Sequence, residues 1–118
     1  MLNKLTLKEA IEGLKSKKFT SRELVQSCLD KIDKLDKDIH AFLFINPKAV
    51  EEADKADVNL PLGGIPIAIK DNFLTVGMPT TASSKLLEGY MPMYDATVVR
   101  RLKEAGAILI GKTNMDAW

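Results

Sequence analysis

Apolar residues recur at helical spacing over the first third of the chain. A first stripe follows Thr6, and Thr6 with Glu9 forms a capping box, the side-chain pattern that starts a helix. Thr20 and Glu23 form a second box. It opens a longer stripe made of Leu24, Val25, Cys28, Leu29, Ile32 and Leu35. The pattern predicts two amphipathic helices, separated by a basic break at residues 15–18.

Shorter apolar runs follow and predict strands. Residues 41–45 form one run, after which Asn46 and Pro47 are typical of a helix start. Residues 65–69 form a second run, which ends on Lys70. Both alternating faces of this run are mostly apolar, so we expect a strand that is covered on both sides.

The rest of the chain predicts a loop, a helix and a further strand. Residues 77–84 are rich in turn-forming and hydroxyl residues, and we expect Ser84 to cap a short helix through Leu87. Asp95 or Thr97 is predicted to cap the next helix, which stops at Gly106. That helix is expected to bury four positions: Val98, Val99, Leu102 and Ala105. Residues 107–110 predict a buried strand, so the order strand, helix, strand indicates a parallel crossover in an α/β protein.

Composition narrows the function classes only slightly. The 118 residues carry a formal net charge of +1, which gives no charge-driven affinity for nucleic acid or membranes. The single cysteine, Cys28, allows no internal disulfide and lies in the apolar stripe, so we interpret it as a core residue. No leader or membrane-spanning run is visible in this sequence, and we expect a cytoplasmic protein.

Lys70 is the first candidate for chemistry. An ordinary lysine is neutral only about one part in a thousand near pH 7.4, but partial burial at a strand end would lower its pKa and leave a usable base. Most lysines at strand ends are solvated and a neighbouring aspartate is often a surface partner, so the residues alone favour a solvated Lys70 beside Asp71 and leave the catalytic interpretation open. His40 has no second ligand near it in sequence and is interpreted as structural.

A second lysine sits in a pattern that we reject as a nucleotide site. Residues 106–113 match the letters of a phosphate-binding P-loop, GxxxxGKT. A P-loop follows a strand and turns its amides toward phosphate, whereas here a helix comes first and the variable residues are the strand itself. Lys112 is therefore expected to be a polar residue at the strand's exit, whose loss hardly affects catalysis.

Four segments in order carry a family resemblance. They are GGIPIAIKDN at 63–72, GMPTTAS at 77–83, DATVV at 95–99 and GAxxxGKTNMD at 106–116. Together they resemble the N-terminal part of the amidase signature family, and within it the A-subunit group of the aspartyl/glutamyl-tRNA amidotransferases. The resemblance covers the whole chain, weakly over the first two helices and strongly from Gly63 onward.

The resemblance implies an α/β/α fold in which helices pack on a mixed, partly parallel sheet, and a catalytic Ser–cis-Ser–Lys triad. Its lysine corresponds to Lys70, which would draw the proton of the nucleophilic serine through the bridging serine. Relatives carry both serines downstream of the segment that corresponds to 106–116, so Ser83 and Ser84 are not those serines. Asp71 and Asn72 are expected to orient the strand end or to hold Lys70.

The resemblance also implies partners. In the A-subunit group, glutamine hydrolysis supplies ammonia to a B subunit, which uses ATP and Mg to activate Glu-tRNA(Gln) or Asp-tRNA(Asn), and a small C subunit helps to hold the two together. No cofactor is expected in this chain. Two alternatives remain: a stand-alone amidase that acts on small amides, and a catalytically dead module whose amphipathic helices dock a partner.

The chain is expected to be the N-terminal portion of one amidase domain. Residues 1–60 would be a mainly helical lead-in, and residues 61–118 would begin the core sheet and carry Lys70. Because both triad serines are missing, the fragment alone is predicted to be inactive.

Overall fold

The computed structural model describes residues 2–82, 84–87 and 89–114. These residues form two helices in succession and then strands that alternate with two further helices. The helices are α1 (Leu7–Lys15), α2 (Ser21–Ile39), α3 (Ala49–Asp54) and α4 (Thr97–Glu104). The strands are β1 (Phe42–Ile45), β2 (Pro66–Lys70) and β3 (Ile108–Thr113). Two short 3-10 turns lie at Leu2–Lys4 and Lys85–Leu87.

Both predicted capping boxes are confirmed. Thr6 and Thr20 each accept a hydrogen bond from the backbone amide of the glutamate three residues later, and each glutamate bonds back to the cap amide. These reciprocal bonds satisfy amide groups that a helix start otherwise leaves without partners. The predicted start at Asn46 is two residues early, because the Asn46 side chain accepts from the Lys48 amide in a turn and α3 begins only at Ala49.

The sheet is mixed, as predicted, and β3 lies at its centre. The strand order is β1-β3-β2, with β3 antiparallel to β1 and parallel to β2. Val25 of α2 and Ala49 and Ala53 of α3 pack with Ile108 and Ile110 on one side of β3. Val99 of α4 and Met78 pack with Ile69 and Leu109 on the other side. Helices therefore flank the central strand on both sides, which confirms the α/β class.

The predicted cap of α4 is wrong. The residue before this helix is Ala96, and no side chain caps it. Asp95 instead accepts a hydrogen bond from the Val76 amide at 2.7 Å and pairs with Lys103 at 2.9 Å. Both partners lie outside the first turn of the helix, so local pattern could not reveal them. Within α4, Val99 is buried as expected, whereas Val98 is exposed.

Gly63 allows two backbone segments to approach closely. A Cβ atom at Gly63 would lie 1.9 Å from the carbonyl oxygen of Asp57, so the backbone would have to move. We expect Gly63→Ala to lower the free energy of unfolding by about 3 kcal/mol. Gly77 is the matched control: its φ is +87°, but nothing lies within 4 Å of an added Cβ, so Gly77→Ala should cost only about 1 kcal/mol. Urea unfolding of both variants measures the difference, and equal losses would contradict this packing.

Candidate active site

Lys70 is the last residue of β2, at the end of the sheet where the parallel strands β2 and β3 finish together. Its register partner is Thr113, the last residue of β3. Lys70 and Ala68 are exposed, whereas Ile65 and Ile69 are buried. The prediction that β2 is covered on both sides is therefore wrong for this chain. The face that carries Lys70 is open, and the burial expected at this lysine is not provided by the described residues.

The buried lysine of the site is Lys112, which lies at the exit of β3 as expected but is buried there. Its relative exposure is 0%, and its ammonium lies close to four oxygen atoms of residues 71–80. Nζ donates to the carbonyl oxygen of Phe73 at 3.0 Å, to that of Pro79 at 3.3 Å and to the hydroxyl of Thr80 at 2.9 Å. It also lies 3.2 Å from Oδ1 of Asp71.

The electrostatics of Lys112 reflect two opposing effects. Burial lowers the pKa of Lys112, because an ammonium loses its hydration inside the protein, while the hydrogen bond and charge of Asp71 act in the opposite direction. Desolvation is the larger effect. The surrounding carbonyl and hydroxyl oxygens replace part of the lost water, which is how a buried cation is usually accommodated.

An irregularity in β3 turns Lys112 toward the loop. Ile67 pairs with Leu109, but the next residue of β2, Ala68, pairs with Gly111, so β3 carries one extra residue at Ile110. Strict alternation would place Lys112 on the same side as Ile108 and Ile110. The extra residue shifts that alternation by one, as a β-bulge does. Lys112 consequently pairs with Ile69 and faces the α4 side of the sheet.

Asp71 does orient the strand end, as expected, but it does not hold Lys70. Its amide donates to the carbonyl of Thr113 at 3.1 Å, and its own carbonyl accepts from the Ala82 amide at 3.0 Å. Its carboxylate accepts from both the amide and the hydroxyl of Thr81. Asp71 is 1% exposed, whereas its neighbour Asn72 is exposed. Asp71 and Lys112 thus join the ends of β2 and β3 to the loop at residues 71–82.

The remaining residues singled out in the sequence make no contact with the Asp71–Lys112 pair among the contacts described above. The Ser84 hydroxyl accepts from the Leu86 amide at 3.2 Å, which confirms the predicted cap, while Ser83, Met115 and Asp116 lie outside the described residues. His40 ends α2 in a left-handed backbone conformation. Cys28 is half-buried against the core, and burial raises the pKa of its thiol.

The P-loop interpretation is excluded by the path of the backbone. The residues before Gly106 form α4, and Ile108–Thr113 form a strand that is paired on both of its sides. The amides that would bind phosphate are therefore used in the sheet. Over the described residues, no three or more His, Cys, Asp or Glu side chains converge on a metal position.

Comparison with known proteins identifies the family. The family model described as Amidase matches residues 23–118. The chain belongs to the amidase family. This agrees with the resemblance carried by the four sequence segments and with the mixed sheet. In the described part of this amidase chain, no helix has the length and apolar character needed to cross a membrane.

Several relatives share one name. The chain is 46% identical over 118 residues to the A subunit of glutamyl-tRNA(Gln) amidotransferase from Methylacidiphilum infernorum, covering 99% of this chain and 24% of that protein. It is 50% identical over 128 aligned residues to the A subunit of the same name from Corynebacterium glutamicum strain R, covering 98% and 26%. The amidase chain therefore spans about a quarter of the length of these curated relatives.

Solved structures support the same fold. The A subunit of glutamyl-tRNA(Gln) amidotransferase from Thermotoga maritima superposes with a TM-score of 0.83 at 37% identity, covering 99% of this chain and 24% of that chain. The native peptide amidase from Stenotrophomonas maltophilia superposes with a TM-score of 0.90 at 33% identity, covering 98% and 26%. The α/β architecture of this chain is thus the architecture of the corresponding part of amidases.

Proposed function

We propose that an amidase of the relatives' length that carries this chain, called here the full-length amidase, hydrolyses glutamine and releases ammonia for tRNA-dependent amidation. The observation that carries the chemistry is the position of Lys70 at the open carboxyl end of β2, with Asp71 turned away from it into the buried network. The substrate is supported by the shared name of the relatives, which are 46% and 50% identical over nearly the whole chain.

Lys70 acts in this proposal as the base of the Ser–cis-Ser–Lys triad. Its neutral amine accepts the nucleophile's proton through the bridging serine, and the serine attacks the amide carbonyl. The same group then returns a proton to the leaving ammonia. Its side chain is exposed on the open face of β2, so it is accessible to residues outside this chain. Both serines belong to a segment that the resemblance places after residues 106–116.

The partners follow from the same proposal. An amidotransferase B subunit would bind ATP, Mg and the aminoacyl-tRNA, and a C subunit would help to hold the complex together. This division of labour is consistent with the chain's net charge of +1, which provides no strong attraction for tRNA. The cytoplasmic location belongs to the proposal as well, and the single cysteine is compatible with it. The role of residues 1–118 as one portion of a single domain is likewise proposed.

A stand-alone amidase is the second candidate. The peptide amidase from Stenotrophomonas maltophilia superposes with a TM-score of 0.90, which is higher than the 0.83 of the amidotransferase chain from Thermotoga maritima. The binding-module alternative has less support, because Leu24 and Val25 of α2 and Leu14 of α1 are buried in the chain's own core. These parts of the two helical stripes are therefore not available to dock a partner.

Substrate preference separates these candidates. Ammonia release by the full-length amidase is measured with glutamine, with a C-terminal peptide amide and with an aryl amide. The proposal predicts that kcat/KM for glutamine exceeds the other two values by at least about tenfold, which corresponds to roughly 1.4 kcal/mol of transition-state discrimination. A preference for the peptide or aryl amide would favour the stand-alone amidase. No release from any substrate by a folded protein, with its B and C subunits present, would favour the binding module.

A further inference from the structure

The proposed chemistry assigns no role to the buried pair of Asp71 and Lys112, although Asp71 directly follows Lys70. The two charged groups are 3.2 Å apart and almost fully excluded from solvent. A buried ion pair is rarely the most stable choice, because apolar side chains of similar volume often stabilise a fold equally well or better. Because burying two charges costs free energy, a role of the pair toward neighbouring residues would explain its presence.

The register places the two lysines on opposite faces of the sheet. Lys112 pairs with Ile69, and Thr113 pairs with Lys70, and paired residues on neighbouring strands point to the same side. Lys112 therefore faces the α4 side with Ile69, while Lys70 faces the other side with Thr113. Asp71, which follows Lys70 in the chain and pairs with Lys112, links the two lysines.

Asp71 is held entirely by groups other than Lys70. Its amide and carbonyl are bound to Thr113 and Ala82, and its carboxylate is bound to Thr81 and paired with Lys112. Among the residues that the structure describes, Lys70 takes part in no ion pair. Neighbouring residues of an extended chain point to opposite faces, and the pairing of Asp71 with Lys112 holds these two adjacent opposite charges apart.

The pairing of Asp71 with Lys112 bears on the charge state of Lys70, the proposed base. A lysine that accepts a proton must first be neutral, and a nearby uncompensated carboxylate favours its charged form. The charged group that contacts Lys112 is Asp71. The other contacts of Lys112 are the carbonyls of Phe73 and Pro79 and the hydroxyl of Thr80. The cation of Lys112 thus compensates the carboxylate of Asp71 locally.

We propose that Lys112 is a positioning residue for Lys70: it holds the Asp71 carboxylate on the α4 side of the sheet and neutralises its charge, which leaves Lys70 unpaired. The inference rests on the proposed role of Lys70 for its catalytic meaning. The arrangement itself is testable without any assay of hydrolysis, through the reactivity of the Lys70 amine.

The test follows acetylation of Lys70 by acetic anhydride as a function of pH, with the modified peptide quantified by mass spectrometry in the full-length amidase. Lys112→Met leaves the Asp71 charge uncompensated. We expect the midpoint of Lys70 labelling to rise by roughly half a pH unit, the size of effect that one uncompensated charge nearby has through partly solvated protein. Below the midpoint, labelling should slow by about threefold. Asp71→Asn/Lys112→Met removes both charges and should return the midpoint to that of the parent.

Two further variants complete the design. Lys103→Met breaks the more exposed pair with Asp95 and should leave the Lys70 midpoint unchanged. Lys112→Gln retains a hydrogen-bond donor for the loop and repeats the test if Lys112→Met does not fold. An unchanged midpoint in the folded variant, or loss of folding in both Lys112 variants, would overturn the proposal in favour of a purely structural role.

The outcomes distinguish this inference from the proposed function. If Lys70 is the base, the acidic limb of the kcat/KM profile for glutamine moves in the same direction as the labelling midpoint. A shifted labelling midpoint in a protein whose hydrolysis does not depend on Lys70 would support the arrangement and contradict the catalytic role. An unshifted midpoint in a protein whose hydrolysis requires Lys70 would support the catalytic role and contradict the positioning role of Lys112.

Discussion

Replacement of Lys70 by alanine is expected to reduce glutamine hydrolysis by the full-length amidase at least about a thousandfold. The substitution removes the proposed base of the triad, and positioned acid–base groups typically contribute about 10²–10⁴ in rate. A triad acts as a unit, so the loss should lie toward the upper part of that range. Release of ammonia from glutamine at saturating substrate measures the effect on kcat.

Folding should be nearly unaffected by this change, because the Lys70 side chain is exposed in this chain and Lys70 is the last residue of β2. Lys34→Ala is the matched control, since Lys34 is an exposed lysine on α2, far along the chain from the site. It should retain full activity. Activity of Lys70→Ala within about tenfold of the parent, in a protein with an unchanged melting temperature, would show that Lys70 is not the base.

Replacement of Lys112 by methionine is expected to lower the free energy of unfolding by about 3–5 kcal/mol. The methionine fills a similar volume, but it leaves the buried carboxylate of Asp71 without its counter-charge, and removing one partner of a buried pair carries a penalty of that size. The carbonyls of Phe73 and Pro79 also lose their donor. Urea unfolding of the full-length amidase measures the loss.

A pair of comparison variants isolates the charge effect. Asp71→Asn/Lys112→Met should recover most of the loss, because neither charge remains buried alone. Lys103→Met breaks an ion pair of similar length, 2.9 Å, whose lysine is 38% exposed, so it should cost at most about 1 kcal/mol. A loss for Lys112→Met no larger than that for Lys103→Met would contradict the importance of the buried pair.

The elements that sequence pattern predicts well here are those with local causes. Both capping boxes lie within four residues, and the helical stripe of α2 requires only the sequence of α2 itself. The parallel pairing of β2 and β3 follows from the order of elements, since a strand, helix, strand unit has few other arrangements. Lys70 lies at the predicted end of β2 because a strand's end is marked by the change from apolar to polar residues.

Features that depend on residues far apart in the sequence could not be predicted from local pattern. Lys112 matched a familiar motif and a strand exit, but the extra residue at Ile110 reverses the alternation and places it in a network with the loop. Its position directly after the apolar run 107–110 and Gly111 was the available signal. Whether a face of β2 is covered, and which groups bond to Asp95, is decided by residues distant in sequence, so local pattern does not reveal either feature.

The measurement that tests the account most directly follows nitrogen from glutamine. The full-length amidase, its B and C subunits, ATP, Mg and Glu-tRNA(Gln) are incubated with glutamine that carries ¹⁵N in its side-chain amide. The account predicts that ¹⁵N appears in the side chain of Gln-tRNA(Gln) and that Lys70→Ala prevents this transfer, while added ammonia restores product formation. Transfer of ¹⁵N by Lys70→Ala at the parent's rate would contradict it.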